Sequence, residues 1–457
     1  MSASSEVHRV LVIGAGLAGS EAAHYLATHD VQVVLLESKR LAPNPSQKMN
    51  GFAELVCTNS LKSLNPDSGH GLLKYEMKAL GSIVLELGLK CAVPAGDALA
   101  VDREQFSQAI TERLLAHPNI EYHDENVSGP KEAMKKYDCS HAIVATGPLT
   151  TQALQKWLEE DFAREDFYFY DAIAPVVDGD SLDYSKLYFK DRHTPVGEDG
   201  EDADYLNAPM DKEQYEHFMS ELVGSEKVGP AKFEEMKYFE ACLPIDLMAE
   251  RGVETARFGP MKPIGLERPD GTIPYACVQL RRENLLGSAF NLVGFQTRLK
   301  YPEQKRVFRL IPGLENASFL HLGSVHRNSF LNARTLLNFD LSAKEFPEIY
   351  FAGQMTGVEG YTESASMGLY AASQLLRKLK GSESVVWPVE TGFGALINYL
   401  MTVSKPAPSN INFGLLPPVT LTKEQRRDRK NRKRVKKELA AKRAREVFDR
   451  FWESNKC

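Results

Sequence analysis

The sequence predicts an α/β protein: a Rossmann-like, two-dinucleotide-fold domain interrupted by an α+β insertion domain. Three observations predict it. An apolar run, His8 to Ile13, leads straight into Gly14-Ala15-Gly16-Leu17-Ala18-Gly19 and then into a helical stretch. A strand, a glycine loop and a helix of small residues recur over 346–380. Between the two, from about 190 to 325, turn-rich segments such as CLPID and FGPMKPIGLERPDGTIP replace any continued βαβ alternation.

The elements follow in order. HRVLVI reads as a buried strand, Ser20 to Ala27 as a helix, and Val31 to Leu36 as a second strand ending at Glu37. Strand, glycine turn, helix and strand in about 30 residues make a βαβ unit. Polar, proline-bearing residues 42–50 form a loop, and residues 71–88 read as helical. A short extended stretch before Asp102 leads into an amphipathic helix, with Asp102 as its N-cap. His141 to Ala145 is another apolar strand, broken by Thr146-Gly147-Pro148. Gly197 to Asp204 (GEDGEDAD) reads as a solvated acidic loop. Ile349 to Ala352 is a strand, followed by the loop GQMTGVEGY and a helix from Thr362 onward. These breaks divide the chain into a first part of the nucleotide-binding domain over 1–190, an insertion over 191–324, a second part over 325–420 and a basic helical tail over 421–457.

Composition narrows the function classes. The chain has 457 residues, with ordinary hydrophobic (43%) and charged (25%) fractions, which excludes wholesale disorder. No apolar run is long enough to span a bilayer, and the polar start lacks an apolar signal core, so cytoplasmic residence without a membrane partner is expected. Six scattered cysteines without a CxxC pair argue against a disulfide framework or a zinc site, so no metal is expected. The net charge of −6 is asymmetric: from Lys423 onward 15 basic residues face 6 acidic ones, giving +9 against −15 for the rest. The stretch Gln279 to Arg309 is a second basic concentration, with 7 basic and 2 acidic residues and Phe290, Phe295, Tyr301 and Phe308 interleaved. Basic side chains can neutralise phosphates and aromatic rings can stack on exposed bases, so this stretch is a candidate RNA contact.

The glycine fingerprint has the context that makes it specific. Gly14 permits the tight turn, Gly16 lets backbone approach a pyrophosphate, and Gly19 lets helix and strand pack closely. Glu37, 18 residues past Gly19, can bind ribose hydroxyls and would repel a 2′-phosphate, which argues against NADP at this site. A strand ending at Ala145-Thr146-Gly147 and the late loop containing Gly353, Gly357 and Gly360 complete a distribution typical of FAD-binding flavoproteins, in which the late helix approaches the flavin. There is no second GxGxxG for a dedicated NAD(P)H domain, so a pyridine nucleotide would bind only transiently.

Several segments are more specific still: Phe52 to Leu61 (FAELVCTNSL), Phe239 to Asp246 (FEACLPID), Phe258 to Lys262 with Pro263 (FGPMKP) and Asn291 to Thr297 (NLVGFQT). Together with the two glycine loops they resemble the folate- and FAD-dependent tRNA (uracil-5-)-methyltransferases, the TrmFO family, over about residues 8 to 380. The resemblance implies an FAD domain with an insertion domain, methylenetetrahydrofolate as carbon donor, reduced FAD as carrier and reductant with NAD(P)H as transient reductant, and uracil C5 in the tRNA T-loop as acceptor. DNA is not an expected partner. Ribosomal RNA stands as the alternative acceptor, because the basic tail departs from the family pattern.

The chemistry fits the residue types. Uracil C5 is a poor nucleophile until a thiolate adds to C6, and a second group must later take the C5 proton. Cys57 and Cys242 match the family's two functional cysteines; the resemblance favours Cys242 as nucleophile and Cys57 as acid/base partner or relay, and the reverse assignment is open. Cys91, Cys139 and Cys277 lie in or beside apolar runs and read as core filler. Two competing classes are a flavoprotein oxidoreductase acting on a small molecule and a non-catalytic, FAD-stabilised RNA-binding protein.

Overall fold

Short apolar runs form the inner strands of the central sheet and are buried on both faces, as parallel strands require, while the edge strand Ile120–Asp124 is polar and partly exposed. The computed structural model describes residues 8–44, 46–163, 167–192, 203–228, 243–282, 289–403, 408–428 and 431–456. Its main sheet has five parallel strands in the order Ile349–Phe351, His141–Val144, Arg9–Ile13, Gln32–Glu37, Ile120–Asp124. The interiors of Arg9–Ile13 and Gln32–Glu37 are apolar, and Val10, Leu11, Val12, Leu35 and Leu36 are fully buried. Helix Leu17–Thr28 crosses between them. It packs against the late helix Tyr361–Leu379, buried from Thr362 to Leu376. The approach is close enough that a Cβ on Gly368 would lie 2.1 Å from the Ala18 carbonyl oxygen, so a larger residue cannot stand there.

Residues 71–88 are two helices, Gly69–Ala79 and Ile83–Lys90. Gly81 takes φ +74°, which ends the first, and the Ser82 hydroxyl caps the second by accepting from Leu85 N–H. Asp102 caps Arg103–Leu115 as its position predicts, accepting from the amides of Glu104 and Gln105.

The insertion is built on a six-stranded antiparallel sheet, ordered Tyr188–Phe189, Tyr205–Met210, Ala276–Arg282, Ala289–Leu292, Val176–Asp178, Phe319–His321. Its core includes Val177, Leu182 and Leu187, so the change of architecture starts before residue 191. The chain enters and leaves through a two-stranded antiparallel ribbon, Phe167–Ile173 against Ser324–Phe330. No glycine or proline cluster marks that entry in the sequence, which is why composition alone sets the boundary too late. Most of the acidic GEDGEDAD stretch lies outside the described residues.

The tail forms a short helix, Lys423–Arg427, and then a long one, Arg432–Asn455, which folds back on the body. The long helix docks through Ala440, Ala441, Ala444 and Phe448, with Phe448, Phe451 and Trp452 gathered around Trp387 at centroid distances of 6.0, 5.2 and 6.0 Å. No described helix is long and apolar enough to cross a membrane.

Candidate active site

The glycine turn is held open by backbone geometry. Gly14 takes φ +101° and sits so near Ala145 that a Cβ would lie 2.7 Å from its carbonyl oxygen. Gly19 faces the Gly14 carbonyl oxygen, 1.8 Å from where its Cβ would be, so turn and helix can close only without side chains. Gly16 differs: nothing lies within 4 Å of its Cβ position, because that direction opens into a cleft.

That cleft holds about 1140 Å³ of open space at the carboxyl ends of the parallel strands, where open α/β sheets bind ligands. Gly14, Gly16, Leu17, Ala18, Glu37, Gly147 and Gly353 all line it. Ala15 lies beneath, its N–H donating to Glu37 Oε2 at 2.7 Å, while Lys39 N–H donates to Glu37 Oε1 at 2.8 Å. Gly357 and Gly360 do not line the cleft; they shape its far wall. Gly357 (φ +98°) ends the 3₁₀ turn Gly353–Thr356, and Gly360 (φ +104°) precedes the helix that begins at Tyr361.

The residues fit a dinucleotide. The amino end of helix Leu17–Thr28 borders the cleft and offers unpaired amides to phosphate. Gly16 and Gly147 leave room for a backbone-close ligand. The hydroxyls of Thr146 and Thr150, both lining residues, are buried without a hydrogen-bond partner, donors and acceptors for a polar ligand. The first turn of Tyr361–Leu379 contributes Tyr361 and Ser364 to the opposite wall.

A second pocket of about 1370 Å³ adjoins the first, sharing Ser46, Glu54 and Val56. It lies between the nucleotide domain and the insertion. Cys57 lines it with Lys48, Arg103 and Lys305, which face the carboxylates of Glu54 and Glu104, and with the exposed ring of Tyr301, so its polar wall is of mixed charge with a slight cationic excess. Cys57 is half-buried. Three local tethers fix its segment. Ala53, at φ +48°, donates its N–H to Ala15 O at 2.9 Å, stitching the segment to the glycine turn. The Tyr361 hydroxyl accepts the N–H groups of Cys57 and Thr58 at 2.7 and 3.3 Å. Thr362 Oγ1 donates to Leu61 O at 2.6 Å. Burial raises the Tyr361 pKa and the neighbouring Cys57 adds to that shift, so the phenol stays protonated. From the insertion, Arg281 donates to Thr58 Oγ1, and Asn59 Nδ2 donates to Arg282 O at 3.2 Å. Arg103 Nη2 reaches Cys57 O at 3.5 Å.

Sequence reasoning missed the organising role of Glu54. Its carboxylate pairs with Lys39 at 3.1 Å, both side chains buried, and accepts from the amides of Lys48 and Met49 at 2.6 and 3.2 Å. A glutamate in an otherwise apolar motif was the available signal. Tyr361, next to the predicted Gly360, was also missed.

Cys242 lies outside the described residues, so its distance from Cys57 is not part of the geometry. Among the other cysteines, Cys139 and Cys277 are buried, with thiols pushed up to about 11 and about 12 by desolvation. Cys91 is half-buried, and desolvation also raises its pKa. The stretch 279–309 does not present a stacking surface of the expected kind. Phe290, Phe295 and Phe308 are in the insertion core, and of the four aromatics Tyr301 alone is exposed. Arg298 is committed to Asp246 and Glu250 at 2.6 and 2.8 Å, Lys300 to Glu226 at 2.7 Å, and Arg306 to Glu303 at 2.7 Å. The period-two alternation of a strand and the aromatic spacing of a stacking platform look alike in sequence.

Comparison with known proteins gives a consistent result. The family model described as glucose inhibited division protein A matches residues 9–383. A protein of Desulfotalea psychrophila named methylenetetrahydrofolate–tRNA-(uracil-5-)-methyltransferase TrmFO is 47% identical over 417 residues, covering 90% of this chain and 92% of the relative. The Aquifex aeolicus protein of that name is 46% identical, covering 98% and 97%. Among solved structures, Aquifex aeolicus GidA superposes with a TM-score of 0.65 at 16% identity, covering 98% of this chain and 75% of that one, a likeness of fold.

Proposed function

The chain belongs to the TrmFO family, and from that premise we propose that it is a methylenetetrahydrofolate-dependent tRNA (uracil-5-)-methyltransferase carrying FAD in the glycine-lined cleft. The observation that carries this reading is the position of Cys57, on the wall of a polar pocket that adjoins the dinucleotide cleft. A nucleophile or proton carrier placed there can meet a base entering from the insertion side and a one-carbon unit held over the cleft.

In this reading one of the two thiolates, Cys242 or Cys57, forms a bond to uracil C6, and the C5=C6 electron pair becomes an enolate with density on C5. C5 then forms the bond to the electrophilic one-carbon unit, whose bond to its carrier nitrogen breaks with the electron pair going to that nitrogen. The other cysteine removes the C5 proton, directly or through a relay, and the pair restores C5=C6 as the thiolate leaves. Bound FAD supplies the reducing electrons that turn the transferred carbon into a methyl group. Glu37 and the amino end of Leu17–Thr28 would hold the ribose and pyrophosphate, Gly353 and the helix start at Tyr361 would lie on the side of the ring, and the Tyr361 hydroxyl fixes the Cys57 backbone. The target uridine must be unstacked to reach the pocket, and exposed Tyr301 offers a ring to stack on it. NAD(P)H would meet the flavin face transiently, and the site would work in the cytoplasm.

The test is direct. FAD-loaded protein is incubated with unmodified tRNA, labelled methylenetetrahydrofolate and NAD(P)H, and nucleosides are analysed. Label in 5-methyluridine is expected, and both Cys57→Ala and Cys242→Ala should retain FAD yet fall by at least about a hundredfold, the scale of a lost catalytic group. Flavin reduction without label in RNA would instead indicate a small-molecule oxidoreductase. Running ribosomal RNA alongside decides the acceptor.

A further inference from the structure

The helix Arg432–Asn455 has two halves with different surroundings. Its second half is bolted to the body: Ala441, Ala444 and Phe448 are buried, and Tyr75 OH donates to Asp449 at 2.8 Å. Arg445 donates to Pro66 O at 2.6 Å, so the helix is anchored on the loop that follows the Cys57 segment. Its first half is different. Lys437 shares a face with Ala441, Ala444 and Phe448, at spacings of four, seven and eleven residues, yet it is exposed. The turns from Arg432 to Leu439, about 12 Å of helix, are therefore less covered than the second half: Val435, Glu438 and Leu439 are half-buried and no residue described there is fully buried.

Those turns are cationic. Arg432, Arg434, Lys436 and Lys437 are exposed, and among the described residues the one ion pair these four make is Arg434 with Glu438, at 2.7 Å. The segment 423–438 carries ten basic and three acidic residues. The helix starts with no acidic residue in its first turn and no side-chain cap, and its first residues are Arg-Lys-Arg. Cations at a helix amino end oppose the macrodipole; the carboxylate of Asp428, which accepts from Asn431 N–H at 3.1 Å, offsets part of this, and a phosphate would offset the excess that remains. A narrow rod studded with cations fits the phosphate rails of a nucleic-acid duplex.

We propose that the first half of this helix is an accessory RNA clamp, holding the phosphate backbone of the tRNA at a distance from the reacting uridine. The proposal rests on the reading that RNA is the substrate. It assigns the tail a share in affinity and none in chemistry, because its cations touch neither the glycine-lined cleft nor the Cys57 pocket.

The experiment compares wild type with a variant carrying Arg432→Gln, Arg434→Gln, Lys436→Gln and Lys437→Gln, and with a charge-matched control at Lys90, Lys135, Lys156 and Lys380. Binding of full-length tRNA is measured across a salt series on FAD-loaded protein, and turnover is measured on full-length tRNA and on an isolated T-arm stem–loop. Intrinsic tryptophan fluorescence verifies that the Trp387–Trp452 cluster is intact. The clamp predicts at least tenfold weaker binding of full-length tRNA, a log–log salt slope smaller by about three, kcat unchanged at saturating RNA, and the stem–loop unaffected. Wild-type affinity and slope in the tail variant would overturn it, as would equal losses in the control. Preferential loss of binding to anionic phospholipid vesicles, with tRNA binding intact, would also overturn it. If wild type makes no 5-methyluridine while the tail variant still loses tRNA, the catalytic reading fails and the clamp stands.

Discussion

Gly16 and Gly19 lie three residues apart and tolerate change differently. An Ala at Gly19 would drive its Cβ into the Gly14 carbonyl, whereas an Ala at Gly16 meets nothing within 4 Å and projects into the cleft. Gly16→Ala should therefore leave the thermal midpoint of FAD-free protein unchanged while weakening FAD binding at least about tenfold, which corresponds to about 1.4 kcal/mol. Gly19→Ala should lower the midpoint even without FAD. A destabilised Gly16→Ala, or a Gly19→Ala with a wild-type midpoint, would contradict this division of labour. At this scale the sequence is informative wherever backbone conformation demands glycine. It is silent on residues such as Glu54 and Tyr361, whose roles come from partners far away in the chain: the Tyr361 hydroxyl meets an amide 304 positions earlier.

At the scale of elements, two buried glutamates hold helix starts. Glu76 accepts from the amides of Gly392 and Phe393 at 2.6 and 2.9 Å, at the head of Gly392–Thr402. Glu21 does the same for Ile83–Lys90, accepting from Ile83 and Val84 at 3.1 and 3.2 Å. Burial pushes each carboxyl up to about 8 despite these bonds. The folded state thus holds protons that the unfolded chain releases near its ordinary pKa of 4.5. The cost of ionising them is absent below that value, grows as pH rises and is complete above about 8. His24 and His141, lowered to about 4 by burial, act in the opposite sense below their ordinary 6.5. Lys74, lowered to about 8, opposes the glutamates only above that pH. The clean window is pH 6.5 to 8. The thermal midpoint should fall as pH rises across it, and Glu21→Gln with Glu76→Gln should flatten the profile. A wild-type midpoint that climbs over the window would refute the assignment. Helix existence was legible here from periodicity, since 71–88 is helical apart from its break. The break was not, because Gly81 and Ser82 are also tolerated inside helices and the glutamate that selects the second helix's start, Glu21, is 61 residues upstream of Ser82.

At the scale of the molecule, the parallel sheet and its glycine turns were readable because they depend on local pattern. The insertion was readable as a change of style but not as an edge. Its entry ribbon, Phe167–Ile173 with Ser324–Phe330, pairs strands more than 150 residues apart, and no local signal carries that pairing. The basic stretch 279–309 misled because its arginines answer acids brought near by folding, notably Asp246 and Glu250. Positive charge available to RNA is set by what remains after such pairing.

The bond from Ala53 N–H to Ala15 O, with the Tyr361 hydroxyl on Cys57 N–H, makes one mechanical unit of the dinucleotide turn, the far helix and the thiol segment. Two ligands that settle on one rigid unit necessarily influence each other, and by the same factor in both directions. Loading with FAD should slow proteolytic cleavage between residues 46 and 58 more than cleavage within Lys212–Gly224 of the insertion. Equal protection of both would show the unit to be uncoupled. Coupling of this kind would be mutual: a seated flavin would steady the segment that carries Cys57, and whatever docks against that segment would in turn retard loss of the flavin.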